Sequence, residues 1–132
     1  MSQYFLEIIT PERKFFEGEV DRVIARSISG DVAILANHIP LVTPLEVSIL
    51  KIKSGSEDMR AAISSGYMEV SKEKTTIIVD AAEWPDDIDL ERAEAAKQRA
   101  EERLRSGQDT DVARAEFALS RAINRISAKK GN

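Results

Sequence analysis

"EWPDDID", residues 83–89, is where the hydrophobic period of this chain changes. Before it, short apolar and β-branched runs alternate with turn compositions. "YFLEII", "EVDRVIAR", "DVAIL", "EVSILKI", "RAAISSGYMEV" and "TTIIVDAA" read as strands, and "TPERK", "SISGD", "ANHIP", "KSGSED" and "SKEK" as the turns between them. Six or more short strands at this spacing predict an all-β sandwich or flattened barrel. After the stretch, Ala93, Ala96, Ala100 and Leu104 recur at helical spacing, and Val112, Ala115, Leu119, Ala122 and Ile126 do so again. Asp86 to Asp89 supplies an N-cap and an acidic first turn, "SGQD" interrupts the pattern at Ser106 to Asp109, and Asp109 or Asp111 caps a second helix. So short a break predicts an antiparallel hairpin. The fold class is therefore α+β, with an antiparallel sandwich over residues 1–84 and a two-helix hairpin over 85–132.

Composition narrows the function. A chain of 132 residues with 42% hydrophobic and 32% charged residues and a net charge of -4 is an ordinary globular mixture. Acidity disfavours a nucleic-acid partner, and an aromatic fraction of 5% offers few stacking platforms to a nucleic-acid β-barrel. With no cysteine and the single His38, no structural metal is expected. No run approaches the roughly 20 apolar residues of a membrane span, and the start lacks a signal sequence, so the protein is expected in the cytoplasm, beside a membrane only through a partner. An enzyme is the competing class. However, there is no GxxxxGK[ST] phosphate loop, no cysteine nucleophile and no two-histidine metal motif, and Asp86, Asp87 and Asp89 read as a helix start rather than an acid/base pair. No catalytic residue is assigned.

Charge is polarised within the helical half. Asp86 to Glu94 holds five acids and one arginine, and Val112 to Asn132 five basic residues and one acid, as the helix macrodipoles favour. Arg121 and Arg125 are four residues apart and Arg114 lies seven before Arg121, so the three share a helix face. Neither Arg121 nor Arg125 has an acid three or four positions away. Arg92, Arg99 and Arg103 form a second stripe, better neutralised through Asp89 and Glu102. If the helices fold back, Arg92 and Arg99 approach Arg121 and Arg125, and their like charges oppose closure. A polyphosphate would reverse that sign through bidentate charge-assisted hydrogen bonds. A solvated basic face and a face that grips an acidic protein are the other two readings. The helix seam itself is mostly alanine, each methyl contributing only about 0.8 kcal/mol when buried. Such an arm is marginal, hence switchable by a ligand or partner; a permanently docked hairpin is the alternative.

The whole chain resembles the epsilon subunit of bacterial F-type ATP synthases in its bacillus-like form. The likeness runs through "EIITPERKFFEGEVDRV", "SGDVAILANHIPLVTPLEVSIL", "SSGYMEV", "DIDLERAEAAKQRAEERL" and "ARAEFALSRAINR". It departs from the family pattern at Ala33 and Ala36, where Gly and Pro are common, changes expected to stiffen one turn and loosen another. The resemblance implies a non-catalytic rotor subunit on the cytoplasmic face of the cell membrane. Its sandwich would bind gamma and rest on the rotor c-ring, through loops that hold Asp31 and His38. Its helices would lie folded or extend along gamma to block ATP hydrolysis, with Arg114, Arg121 and Arg125 meeting an acidic target on the beta, or alpha, subunits. It also implies a regulatory ATP site in the folded state. The pattern Ile/Leu-Asp-x-x-Arg-Ala falls on Ile88, Asp89, Arg92 and Ala93, and by position Glu83, Arg99, Arg121 and Arg125 complete it. ATP would be a ligand, with or without magnesium, and there would be no prosthetic group. A constitutively folded interaction subunit without nucleotide switching is the alternative.

Overall fold

The computed structural model describes residues 2–107 and 111–131. The chain divides into two compact units, Met1–Glu83 and Trp84–Asn132.

The first unit is a β-structure of ten strands: β1 (Tyr4–Ile9), β2 (Lys14–Val20), β3 (Arg22–Ser27), β4 (Gly30–Leu35), β5 (Leu41–Leu45), β6 (Ser48–Ser54), β7 (Glu57–Ile63), β8 (Gly66–Val70), β9 (Thr75–Val79) and β10 (Ala82–Glu83). They pair in the order β10-β7-β6-β3-β5-β8-β9-β1-β2, with β4 on β3. All pairs are antiparallel except β1 with β9. The sheet folds back on itself. Asp21 donates its backbone N–H to the Lys53 carbonyl at 2.7 Å and the Ser54 hydroxyl donates to the Glu19 carbonyl at 2.8 Å, so the end of β2 meets the end of β6 and nearly closes the barrel. Leu6, Ile8, Val20, Val23, Ile34, Leu50, Met68 and Ile77 are wholly buried. Each such side chain contributes about 1.5–3 kcal/mol.

Three sequence expectations change at strand level. "EVDRVIAR" is two strands, because Asp21 turns out of the ladder to accept the Gly55 N–H at 2.6 Å and hold the tight β6–β7 turn. "RAAISSGYMEV" is also two: Ser64 leaves the ladder, its hydroxyl accepting the Ala81 N–H at 2.9 Å and its own N–H reaching the Ala81 carbonyl. "LVTPL" forms β5 despite Pro44, since β5 bonds along its length to β8 alone and meets β3 only at Ser27 and Leu45. One side of it is nearly an edge, where a proline is tolerated. Ala33 lies in β4 opposite Ile24 rather than in a turn, whereas Ala36 does occupy the turn after β4.

The second unit opens with a 3₁₀ turn at Pro85–Asp87 and continues as α1 (Leu90–Ser106) and α2 (Val112–Lys130). Asp89 is the N-cap of α1, accepting the Arg92 backbone N–H at 3.1 Å, and Asp86 and Asp87 belong to the turn before it. Asp111 caps α2 in the same way through the Arg114 N–H at 3.2 Å; Asp109 lies outside the described residues. Gly107 and Gly131 close the two helices at φ 65° and 78°, a left-handed conformation that costs glycine little. The helices pack along each other, with Ala93 and Ala100 buried on α1 and Ala115, Ala122 and Ala128 on α2.

Candidate functional site

The alanine seam fixes where the arginines go. At roughly 100° per residue, Arg92, Arg99 and Arg103 stand about a quarter turn to one side of the Ala93–Ala100 line on α1. Arg114, Arg121 and Arg125 stand about a quarter turn to the same side of the Ala115–Ala122 line on α2, again at roughly 100° per residue. Antiparallel helices are related by a two-fold axis normal to the plane of the pair, so equal offsets from the seam emerge on one open face. Counting back from the connection at residues 107–111, Arg92 comes level with Arg125, Arg99 with Arg121 and Arg103 with Arg114, each to within about one turn. The helices thus carry a ladder of arginines along one face. All are exposed except Arg125, which is half-buried.

The first-helix arginines are not better neutralised, as the sequence had suggested. Asp89 uses its carboxylate on the Arg92 backbone N–H, the stronger local demand at a helix start, and not on the guanidinium. Among the described residues no carboxylate ion-pairs with Arg92, Arg99, Arg103 or Arg114. Arg99, Arg103, Arg105, Glu102 and Ser106 line an open hollow of about 620 Å³ at the end of α1. Ile88 and Ala93, the apolar members of the motif, are buried at 3% and 0% exposure. Glu83 ends β10 opposite Ala62 in the first unit.

Sequence reasoning missed Phe117. Its ring lies one turn before Arg121 on α2, and the Arg121 guanidinium carbon sits 5.8 Å from the ring centroid. An arginine with an aromatic residue four positions earlier was the available signal.

The two sandwich residues are separated from each other. Asp31 is the second residue of β4 rather than a loop residue, paired across the hairpin with Arg26 at 3.1 Å, with both side chains 57% exposed. His38 lies beyond the other end of β4, its Nδ1 2.7 Å from the Ile39 carbonyl oxygen. Asn37 before it takes a positive φ of 64°, which asparagine tolerates. The strand from Asp31 to Leu35 puts about 13 Å between the Arg26 pair and the turn that carries His38. His38, Asn37, Pro40, Tyr4 and the 71–74 turn line a hollow of about 320 Å³. Tyr4 donates its hydroxyl to the Ile34 carbonyl at 2.6 Å, and burial pushes its pKa upward.

A nearly closed β-sandwich that runs straight into a two-helix unit is the architecture of a small accessory stalk subunit of the rotary ATP synthases. Residues 3–85 match the family described as ATP synthase, Delta/Epsilon chain, beta-sandwich domain, and residues 86–130 match its long alpha-helix domain. The ATP synthase epsilon chain of Desulforamulus reducens is 49% identical over 124 residues, which cover 93% of this chain and 94% of that one. That of Alkaliphilus metalliredigens is 48% identical, covering 98% and 97% of the two chains, and that of Bacillus pumilus 42%, covering 92% and 93%. Among solved structures, a chain of the Euglena gracilis mitochondrial ATP synthase (OSCP/F1/c-ring, rotational state 1) superposes with a TM-score of 0.85. It is 22% identical, covers 97% of this chain and 82% of its own, and shows the shared fold. The chain belongs to the ATP synthase epsilon chain family. It is accordingly a subunit of the central stalk, accessory and without catalysis of its own. Among the described residues no helix is long and apolar enough to cross a membrane.

Proposed function

We propose that this subunit couples gamma to the membrane rotor c-ring on the cytoplasmic face of the cell membrane, and restrains ATP hydrolysis through its helical hairpin, whose folded state ATP favours. The observation that carries the reading is the ladder of arginines on one face of the hairpin, with Arg92 and Arg99 lacking ion-pair partners among the described residues. Converging guanidinium groups repel one another until an anion sits among them, and their planar donor edges fit phosphate oxygens. In the folded state Arg92, Arg99, Arg121 and Arg125 hold the phosphates. Asp89, which retains acceptor capacity beyond its single cap bond, serves with Glu83 as the acceptor for the adenine amino group. Ile88 and Ala93 supply the apolar contact and the close approach of α1. In the extended state Arg114, Arg121 and Arg125 turn to an acidic surface on the beta, or alpha, subunits. On the sandwich, Asp31 and His38 belong to the surface that meets the rotor ring and gamma.

Mass action bounds what nucleotide does. ATP at 100 times its dissociation constant favours the folded arm by about 2.7 kcal/mol, about half of the 5.5 kcal/mol that carries a two-state ratio from 1:99 to 99:1. Nucleotide therefore biases the hairpin, and rotation of gamma or the proton-motive force supplies the rest. Titrating ATP, with and without magnesium, into the isolated chain and into Arg92→Ala and Arg125→Ala checks the site. Each variant should bind about tenfold more weakly, the loss of one charge-assisted hydrogen-bonded contact. Affinity unchanged in both removes the arginine site.

A further inference from the structure

We infer that Phe117 is a positioning residue that fixes the Arg121 guanidinium on the arginine face, ready for a multiply charged phosphate anion; this rests on the nucleotide reading above. Phe117 is 41% exposed and lies well away from the Ala115–Ala122 seam, so its ring is not part of the hairpin packing. It lies under the Arg121 guanidinium at 5.8 Å, inside the range in which a cation is attracted to an aromatic face.

The geometry makes this contact useful rather than competitive. A guanidinium held 5.8 Å from a ring centroid is attracted to the ring without spending its donors on a carboxylate, so its N–H groups directed away from the ring stay open to oxygen acceptors. A carboxylate at the same position would instead have occupied those donors. Helical side chains lean toward the N-terminus, so the ring one turn earlier draws the Arg121 head toward the hairpin connection, to the level of Arg99 on α1. Without the ring, the long side chain samples many rotamers, and an incoming anion must freeze them. With it, that ordering is complete before binding, which is how preorganisation raises affinity.

Affinities for ATP and for inorganic tripolyphosphate are measured calorimetrically on the full chain and on Phe117→Leu, Phe117→Tyr, Arg121→Ala and the Phe117→Leu/Arg121→Ala double variant. Leucine is a good helix former at an exposed position, so α2 is retained. Phe117→Leu should weaken both anions about two- to fivefold, the size of an exposed cation–π contact. Phe117→Tyr should restore wild-type affinity, and Phe117→Leu should change nothing further in the Arg121→Ala background. The upfield ring-current displacement of the Arg121 Nε–H resonance should vanish in Phe117→Leu and persist in Phe117→Tyr. An equal loss in the Arg121→Ala background, or affinity unchanged or raised by Phe117→Leu, overturns the inference. Wild-type chain that binds tripolyphosphate but not ATP overturns the nucleotide reading alone, and tripolyphosphate then completes the cycle; wild-type chain that binds neither overturns both.

Discussion

Glu7 shows how far a single residue can be read from its neighbours. Strand alternation puts it on the side of β1 opposite Leu6 and Ile8, and its side chain is only 10% exposed. Lys14 reaches it at 2.9 Å and Lys74 at 3.0 Å, and the hydrogen bonds from these amines hold its carboxyl below the ordinary value of 4.5. Because the folded pKa is depressed, the stabilisation is complete above 4.5 and is lost as pH falls through the lowered value. Urea unfolding at pH 6 and pH 3 should therefore show a smaller acid loss for Glu7→Gln than for wild type, and an identical acid loss in the two would contradict the assignment. Gly66 answers to sterics. A Cβ there would lie 2.0 Å from the Ile78 carbonyl oxygen, so Gly66→Ala must displace β9 and should cost about 3 kcal/mol in the same assay. A variant as stable as wild type would be inconsistent with this close approach. Residues whose partners are local in sequence were legible to within a turn: the caps were expected within Asp86 to Asp89 and at Asp109 or Asp111, and Asp89 and Asp111 take those places. Glu7 was not, because Lys74 is brought to it only by the parallel pairing of β1 with β9. Nor was the rival for the Asp89 carboxylate, since sequence spacing offers the Arg92 side chain and backbone as equal claimants.

At the scale of elements, the helices were legible and the strands only in part. Period alone finds α1 and α2, because a buried alanine every seven residues leaves no other periodicity. Strand limits depend on single polar residues leaving the ladder, as Asp21 and Ser64 do, and composition does not mark which serine or aspartate will turn. β5 was hidden by Pro44, which argues against a strand until its nearly unpaired side is known. The seam itself makes a prediction. Methyl groups facing methyl groups allow close helix approach, so Ala122→Leu, at a position 3% exposed, should overpack the hairpin by about 1–3 kcal/mol. Hydrogen exchange should quicken across α1 and α2 while amides of β1, β6 and β8 keep their protection. Slowed or unchanged exchange in the helices would show that the seam has room to spare.

For the whole molecule, the two units rest on different physics. The sandwich buries bulky leucine, isoleucine and valine between its layers, whereas the hairpin closes on alanine and presents a ladder of arginines on its open face. The contrast was visible at "EWPDDID" as a change of period, and the two arginine stripes were visible as spacing. Their approach across the hairpin followed from the same spacing once the helices fold back. A robust sandwich joined to a hairpin that is weakly closed, neutral overall and cationic along one face is the construction the proposed regulation requires. The central claim is that this arm restrains hydrolysis and that ATP relieves the restraint. The most direct measurement is the ATP hydrolysis rate of the assembled ATP synthase, across a range of ATP concentrations, with the full-length chain and with a chain ending after Trp84. The account predicts faster hydrolysis with the shortened chain at low ATP, the difference narrowing as ATP rises; equal rates at every concentration would contradict it.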